Sequence, residues 1–111
     1  MQNNSFLSTI GGKPVMIPNE LKDFTLTTKE SSQVSFFGVN MKTDTIFVQF
    51  KSNGAGYLYP GQPVDALKAI MGADSVGSWV IQNLSRPKGK SPAEFEKADY
   101  AIELVTDAKM V

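Results

Sequence analysis

The chain has 111 residues, 41% hydrophobic and 20% charged, which suits one globular domain rather than a disordered chain. It contains no cysteine and no histidine, which excludes disulfides, thiolate metal sites and the commonest general base near neutral pH. Its 11 basic and 11 acidic residues balance, so it lacks the positive excess that carries nonspecific nucleic-acid binding.

Residues 1–12 (MQNNSFLSTIGG) are polar, end in two glycines and read as a flexible arm. They show no basic region ahead of an apolar core, so they are not a secretory leader. No apolar run is long enough to span a bilayer, so a cytoplasmic location without a membrane partner is expected. Lys13–Pro18 is a short apolar run of the edge-strand kind. Asn19 is placed to cap one helical turn through Asp23. Residues 26–29 fit no single element, and 27–33 (TTKESSQ) reads as a loop.

The middle of the chain is more explicit. Val34–Val39 reads as a strand and 40–44 (NMKTD) as a hairpin turn. Thr45–Lys51 is rich in β-branched and aromatic residues and reads as a strand. Ile46, Val48 and Phe50 share one of its faces, and Thr45, Phe47 and Gln49 the other. Ser52–Gly56 contains Asn-Gly, which favours a tight hairpin turn. Tyr57–Tyr59 forms the next strand, which Pro60-Gly61 ends.

Pro63 then opens a helix whose stripe is Val64, Leu67 and Met71, with Ala66 and Ile70, and Gly72 stops it. Ser75 caps a second helix running to Leu84, with Val76, Trp79, Val80 and Leu84 on one face. Pro87 ends it. Residues 86–90 (RPKGK) form a basic loop containing the sole arginine, Arg86. Ser91 caps a turn containing Pro92, Glu94 and Phe95. Ala98–Thr106 alternates apolar and polar residues and reads as a final strand.

The run from about Gln33 to Asn83 resembles the KTSC domain. This small domain is found at the C-terminus of some lysyl-tRNA synthetases and in stand-alone bacterial proteins. The resemblance is carried by Phe50-Lys51-Ser52-Asn53-Gly54 at a strand end and by Tyr57-Leu58-Tyr59. The helix from Pro63 to Ile70 and the run Ser75-Val76-Gly77-Ser78-Trp79-Val80 complete it. Val80 stands where the family has phenylalanine, with the aromatic ring moved to Trp79, and basic residues common in the family's second helix are missing. The resemblance implies a core over residues 33–84. RNA binding has been suggested for the family.

Tyr57 and Tyr59 point to one face of their strand. They are either a platform on which a nucleobase stacks or core residues packed against the helices. Trp79 lies on an apolar stripe, one turn before Gln82 and Asn83, whose amides can read a base edge. Arg86, Lys88 and Lys90 concentrate positive charge that would suit a phosphate, and Lys51 joins them only if the fold brings the loops together. The candidate ligand-binding residues are therefore Tyr57, Tyr59, Trp79, Gln82, Asn83, Arg86, Lys88 and Lys51. Gly54-Ala55-Gly56 precedes a strand rather than a helix, so it is no phosphate loop. The carboxylates are dispersed and Ser75 and Ser78 lack a histidine, so neither catalysis, a metal nor a cofactor is expected.

The expected fold is α+β: an antiparallel sheet of four or five strands with two helices packed on one face. That leaves Phe47 on an uncovered face, and a second copy of the chain would cover it, so a homo-oligomer is expected. The expected function is non-catalytic binding of a nucleotide-type ligand, by analogy of size with phage sponges that sequester nucleotide immune signals. The alternatives are an RNA-binding module and a protein-interaction domain.

Overall fold

The computed structural model describes residues 4–29 and 33–105. The fold is α+β. Its frame is a five-stranded antiparallel sheet in the order β3-β4-β5-β6-β7, formed by Thr25–Thr27, Val34–Asn40, Thr45–Phe50, Gly56–Tyr59 and Glu96–Lys97. Two helices, α1 (Val64–Gly72) and α2 (Val76–Val80), lie against one face. A second antiparallel sheet covers the other face. It has the order β1-β2-β8, from Ser5–Ile10, Lys13–Pro18 and Glu103–Leu104.

Alternation along β5 decides which residue meets which layer. Ile46 and Val48 join Leu67, Ile70, Val80 and Leu84 under the helices. Phe47, 0% exposed, points the other way, into a cluster with Ile10, Val15, Ile17, Leu21, Phe36 and Ile102. The protein's own second sheet thus buries Phe47, and the reason for expecting a second copy on that face disappears.

A β-bulge fixes the faces of β4. Val34 pairs with Phe50 but Phe36 pairs with Gln49, so one extra residue sits at Ser35. The insertion puts Val34 and Phe37 on the helix side and Phe36 on the opposite side. Hydroxyls brace the irregularity: Thr28 Oγ1 donates to the Ser35 carbonyl at 2.8 Å, and Ser35 Oγ donates to the Gln49 carbonyl at 3.1 Å.

The N-terminal reading requires correction. Residues 5–10 are not an arm but β1, joined to β2 by a two-residue turn between paired Ile10 and Lys13. Gly11 and Gly12, at φ 60° and 80°, both occupy the left-handed region that such a hairpin turn demands. Residues 1–3 of the expected arm lie outside the described residues. β2 is the central strand of its sheet, not an edge. Asn19 begins a 3-10 turn with no side-chain cap, and its N–H donates to the Asn4 carbonyl at 2.9 Å. The expected loop over 27–33 loses Thr27 to β3, and its residues 30–32 lie outside the described residues.

The hairpin between β5 and β6 is longer than an Asn-Gly turn. The Phe50 N–H donates to the Ala55 carbonyl, and the Gly54 N–H to the Phe50 carbonyl, both at 3.0 Å. Only Gly54 is left-handed, while Asn53 Oδ1 accepts the Ala55 N–H at 3.0 Å. The second helix begins as expected, with Ser75 Oγ accepting the Ser78 N–H. It ends in a π turn, Ile81–Ser85, closed by the Arg86 N–H on the Ile81 carbonyl at 2.7 Å.

The continuous final strand expected over 98–106 does not form. Instead β7 pairs with β6 and β8 with β2, and the segment between them crosses from one sheet to the other; Thr106 lies outside the described residues. Gln49 holds this crossing. Its buried side-chain amide accepts the Ile102 N–H at 2.8 Å and donates to the Ile102 carbonyl at 2.9 Å, standing in for a strand partner. The Ala98 N–H donates to the Gly56 carbonyl at 2.8 Å. Gly56 must lack a side chain here, because a Cβ would lie 2.7 Å from the Phe47 ring.

Candidate functional site

β6 carries Tyr57 and Tyr59 on the helix-facing side, opposite Val48 and Ile46. The two tyrosines have different environments. Tyr59 is 4% exposed and belongs to the core. Burial raises its hydroxyl above the ordinary tyrosine range, partly offset by a hydrogen bond with the Ser85 side chain. The π turn delivers that serine: its extra residue allows Leu84 to stay buried while Ser85 sits half-buried beside the strand.

Tyr57 is half-buried and lies between two other rings. Phe50 meets it edge-on at 5.6 Å between centroids and 65°, and Phe95 at 5.5 Å and 77°. Phe95 also tilts against Tyr59 at 6.1 Å and is itself 57% exposed. Edge-to-face contacts of this kind stabilise a pair by about 0.5–1.5 kcal/mol beyond area burial. These four rings wall a groove of about 350 Å³, whose polar groups come from Ser52, Asn53 and Ser85. No charged side chain lines it among the described residues.

The structure does not bring the other expected residues to this groove. Trp79 packs, partly buried, on the helix-side core. Gln82 is exposed, and exposed Asn83 turns its amide back to donate to the Trp79 carbonyl at 2.9 Å. Arg86 and Lys88 are exposed and follow Ser85 in the chain without lining the cavity. Lys51 stands between two groove residues, Phe50 and Ser52, but itself lines a separate cavity beside Phe36.

Sequence reasoning did not assign Phe50, Phe95 or Ser85 to the site. Phe50 reads as core from its alternation. Ser85 depends on a π turn that leaves no local mark. Phe95 carried a usable signal: a lone large aromatic in a stretch otherwise polar or small, KGKSPAEFEK, with no helical or strand period to bury it. Among the described residues no three carboxylates gather as a metal cage would require.

No family model matches the chain, and no curated protein does either. A crystal structure of a KTSC domain protein from Yersinia pestis is similar to it at 25% identity and a TM-score of 0.54. The similarity covers 68% of this chain and 97% of that one. The fold of this chain is therefore KTSC-like.

Proposed function

We propose that the protein is a non-catalytic binder of a nucleotide-type small molecule, acting by sequestration, with the flat ring of the ligand taken up in the aromatic groove. The observation that supports this is Tyr57, set between Phe50 and Phe95 and opening onto a groove walled by rings and neutral polar groups. Such a wall suits an uncharged aromatic ring, and its hydroxyl and amide groups can satisfy the ring's polar edge. Among the described residues that line the groove there is no carboxylate, lysine or arginine to serve as acid or base. Exposed Arg86 follows the groove residue Ser85 in the chain and is the cation offered to the ligand's phosphates.

A thermal-shift screen against cyclic di- and trinucleotides, ADP-ribose derivatives and short RNA oligomers tests the reading. One small nucleotide should raise Tm with the logarithm of its concentration. Stacking contributes about 1–3 kcal/mol per base, so Tyr57→Ala should weaken that ligand about 5- to 150-fold. An affinity confined to RNA and falling steeply with salt would favour the RNA-binding alternative. A flat response to every nucleotide would overturn both.

A further inference from the structure

The polar side chains on the wall of the aromatic groove differ in what they leave to a ligand. The Ser85 hydroxyl is tied to Tyr59. Ser52 is exposed, and a rotating hydroxyl donates or accepts as its partner requires, so it does not discriminate between base edges. The faces of the rings accept any nucleobase. Asn53 is different, because its Oδ1 accepts the Ala55 N–H at 3.0 Å within the β5–β6 hairpin.

That bond fixes which way the amide is turned. A backbone N–H must meet the oxygen, so the two ends of the side chain cannot exchange places. The oxygen end is held against the hairpin's own backbone. Nδ2 makes no hydrogen bond to any described residue and carries two donor hydrogens. Asn53 therefore presents a donor of fixed polarity. An asparagine that reads adenine uses both ends of its amide, the oxygen for the N6 amino group and the nitrogen for N7. With the oxygen end engaged in the turn, that paired contact is not available. Two donor hydrogens match instead two adjacent acceptors, which O6 and N7 of a 6-oxopurine present.

We propose that Asn53 makes the groove selective for a 6-oxopurine base, guanine or hypoxanthine, over adenine. The assignment rests on the reading above, in which the ligand's flat ring enters this groove.

The test is calorimetric titration of the full chain with inosine 5′-monophosphate and with adenosine 5′-monophosphate. The two share ribose and phosphate and differ in carrying a 6-oxo or a 6-amino group. The inosine nucleotide should bind about 3- to 10-fold more tightly, the worth of one net hydrogen bond. Asn53→Asp keeps an oxygen for the Ala55 N–H, so it should melt near the parent temperature, but it turns the free end into an acceptor. The ratio should then reverse in favour of the adenosine nucleotide. The added negative charge acts alike on two ligands of equal charge and cancels in the ratio. Asn53→Ala should bring the ratio close to one. Equal affinities in the parent, both weakened by Tyr57→Ala, would overturn the role of Asn53 and leave the groove reading standing, as would a ratio unmoved by Asn53→Asp. Binding of neither nucleotide would overturn both.

Discussion

The central sheet buries both faces, but the material that covers them comes from different parts of the chain. The helix-side core runs almost without interruption from Val34 to Leu84. The opposite core joins Ile10, Val15, Ile17 and Leu21 from one end of the chain to Ile102 near the other, across Phe36 and Phe47. One side is assembled from neighbours in sequence and the other from distant segments, yet β5 supplies alternate residues to both. The candidate groove opens on the contiguous side, whereas the separate cavity beside Phe36 opens where the distant segments meet.

The largest test of this contrast is Phe47→Ala. Removing a fully buried ring should cost about 3–5 kcal/mol, as much as or more than Leu67→Ala on the helix side. Chemical denaturation should still show one transition, because Phe47 and Val48 are neighbours on one strand. Two transitions after Phe47→Ala would mean that the sides unfold separately. Next comes Gln49→Leu, which strands the N–H and carbonyl of Ile102 and should cost about 2–3 kcal/mol. Hydrogen exchange should accelerate at Ile102 and the β8 pairing while the helices keep their protection. Gly56→Ala forces a methyl against the Phe47 ring and should cost about 1–3 kcal/mol. In combination with Phe47→Ala that penalty should largely vanish, and a full additive loss would refute the contact.

The smallest effect is on pH dependence. Burial raises the hydroxyls of both Tyr59, on the helix side, and Tyr100, on the other; at Tyr100 the nearby Glu20, Asp99 and Glu96 raise it further. Below the ordinary tyrosine range, near pH 10, folded and unfolded chains are equally protonated and neither hydroxyl's titration contributes to stability. Above it the unfolded chain ionises first and the folded chain retains its protons, so stability should fall as pH rises. Tyr59→Phe and Tyr100→Phe should each flatten that alkaline fall. Added salt should reduce the carboxylate share at Tyr100 and leave burial at Tyr59 in place, as phenolate absorbance in each single variant would report.

The same contrast explains what was legible in the sequence. Strands β4, β5 and β6 and both helices announce themselves through β-branched alternation, helical stripes and the Ser75 cap, because those signals lie within a few residues of what they specify. Gly72, read as the stop of α1, is instead its last residue, and the helix ends on an extended Ala73. The second sheet does not. Only one face of β1 is covered, and its residues do not alternate cleanly: Leu7 is exposed beside Ser5 and Thr9 while Ser8 points inward, so the segment reads as an arm although Ile10 is core. Ala98–Thr106 alternates convincingly, but its partners change sheet part-way, which no local pattern encodes. The two tyrosines share a face, as alternation requires. Which of them is core depended on Phe95 and Ser85, contributed by a loop and a π turn.

The pairing of Val15 with Leu104 bears on how the protein forms during translation. The helix-side core can condense once the ribosome has released the chain through Leu84. The β1–β2 hairpin, with its apolar face turned toward Phe47, must wait for Ile102 and the third strand of its sheet before that side is sealed. Closing so long a span costs more chain entropy than pairing neighbours, whereas the Gly11-Gly12 turn fixes the register of the β1–β2 hairpin locally.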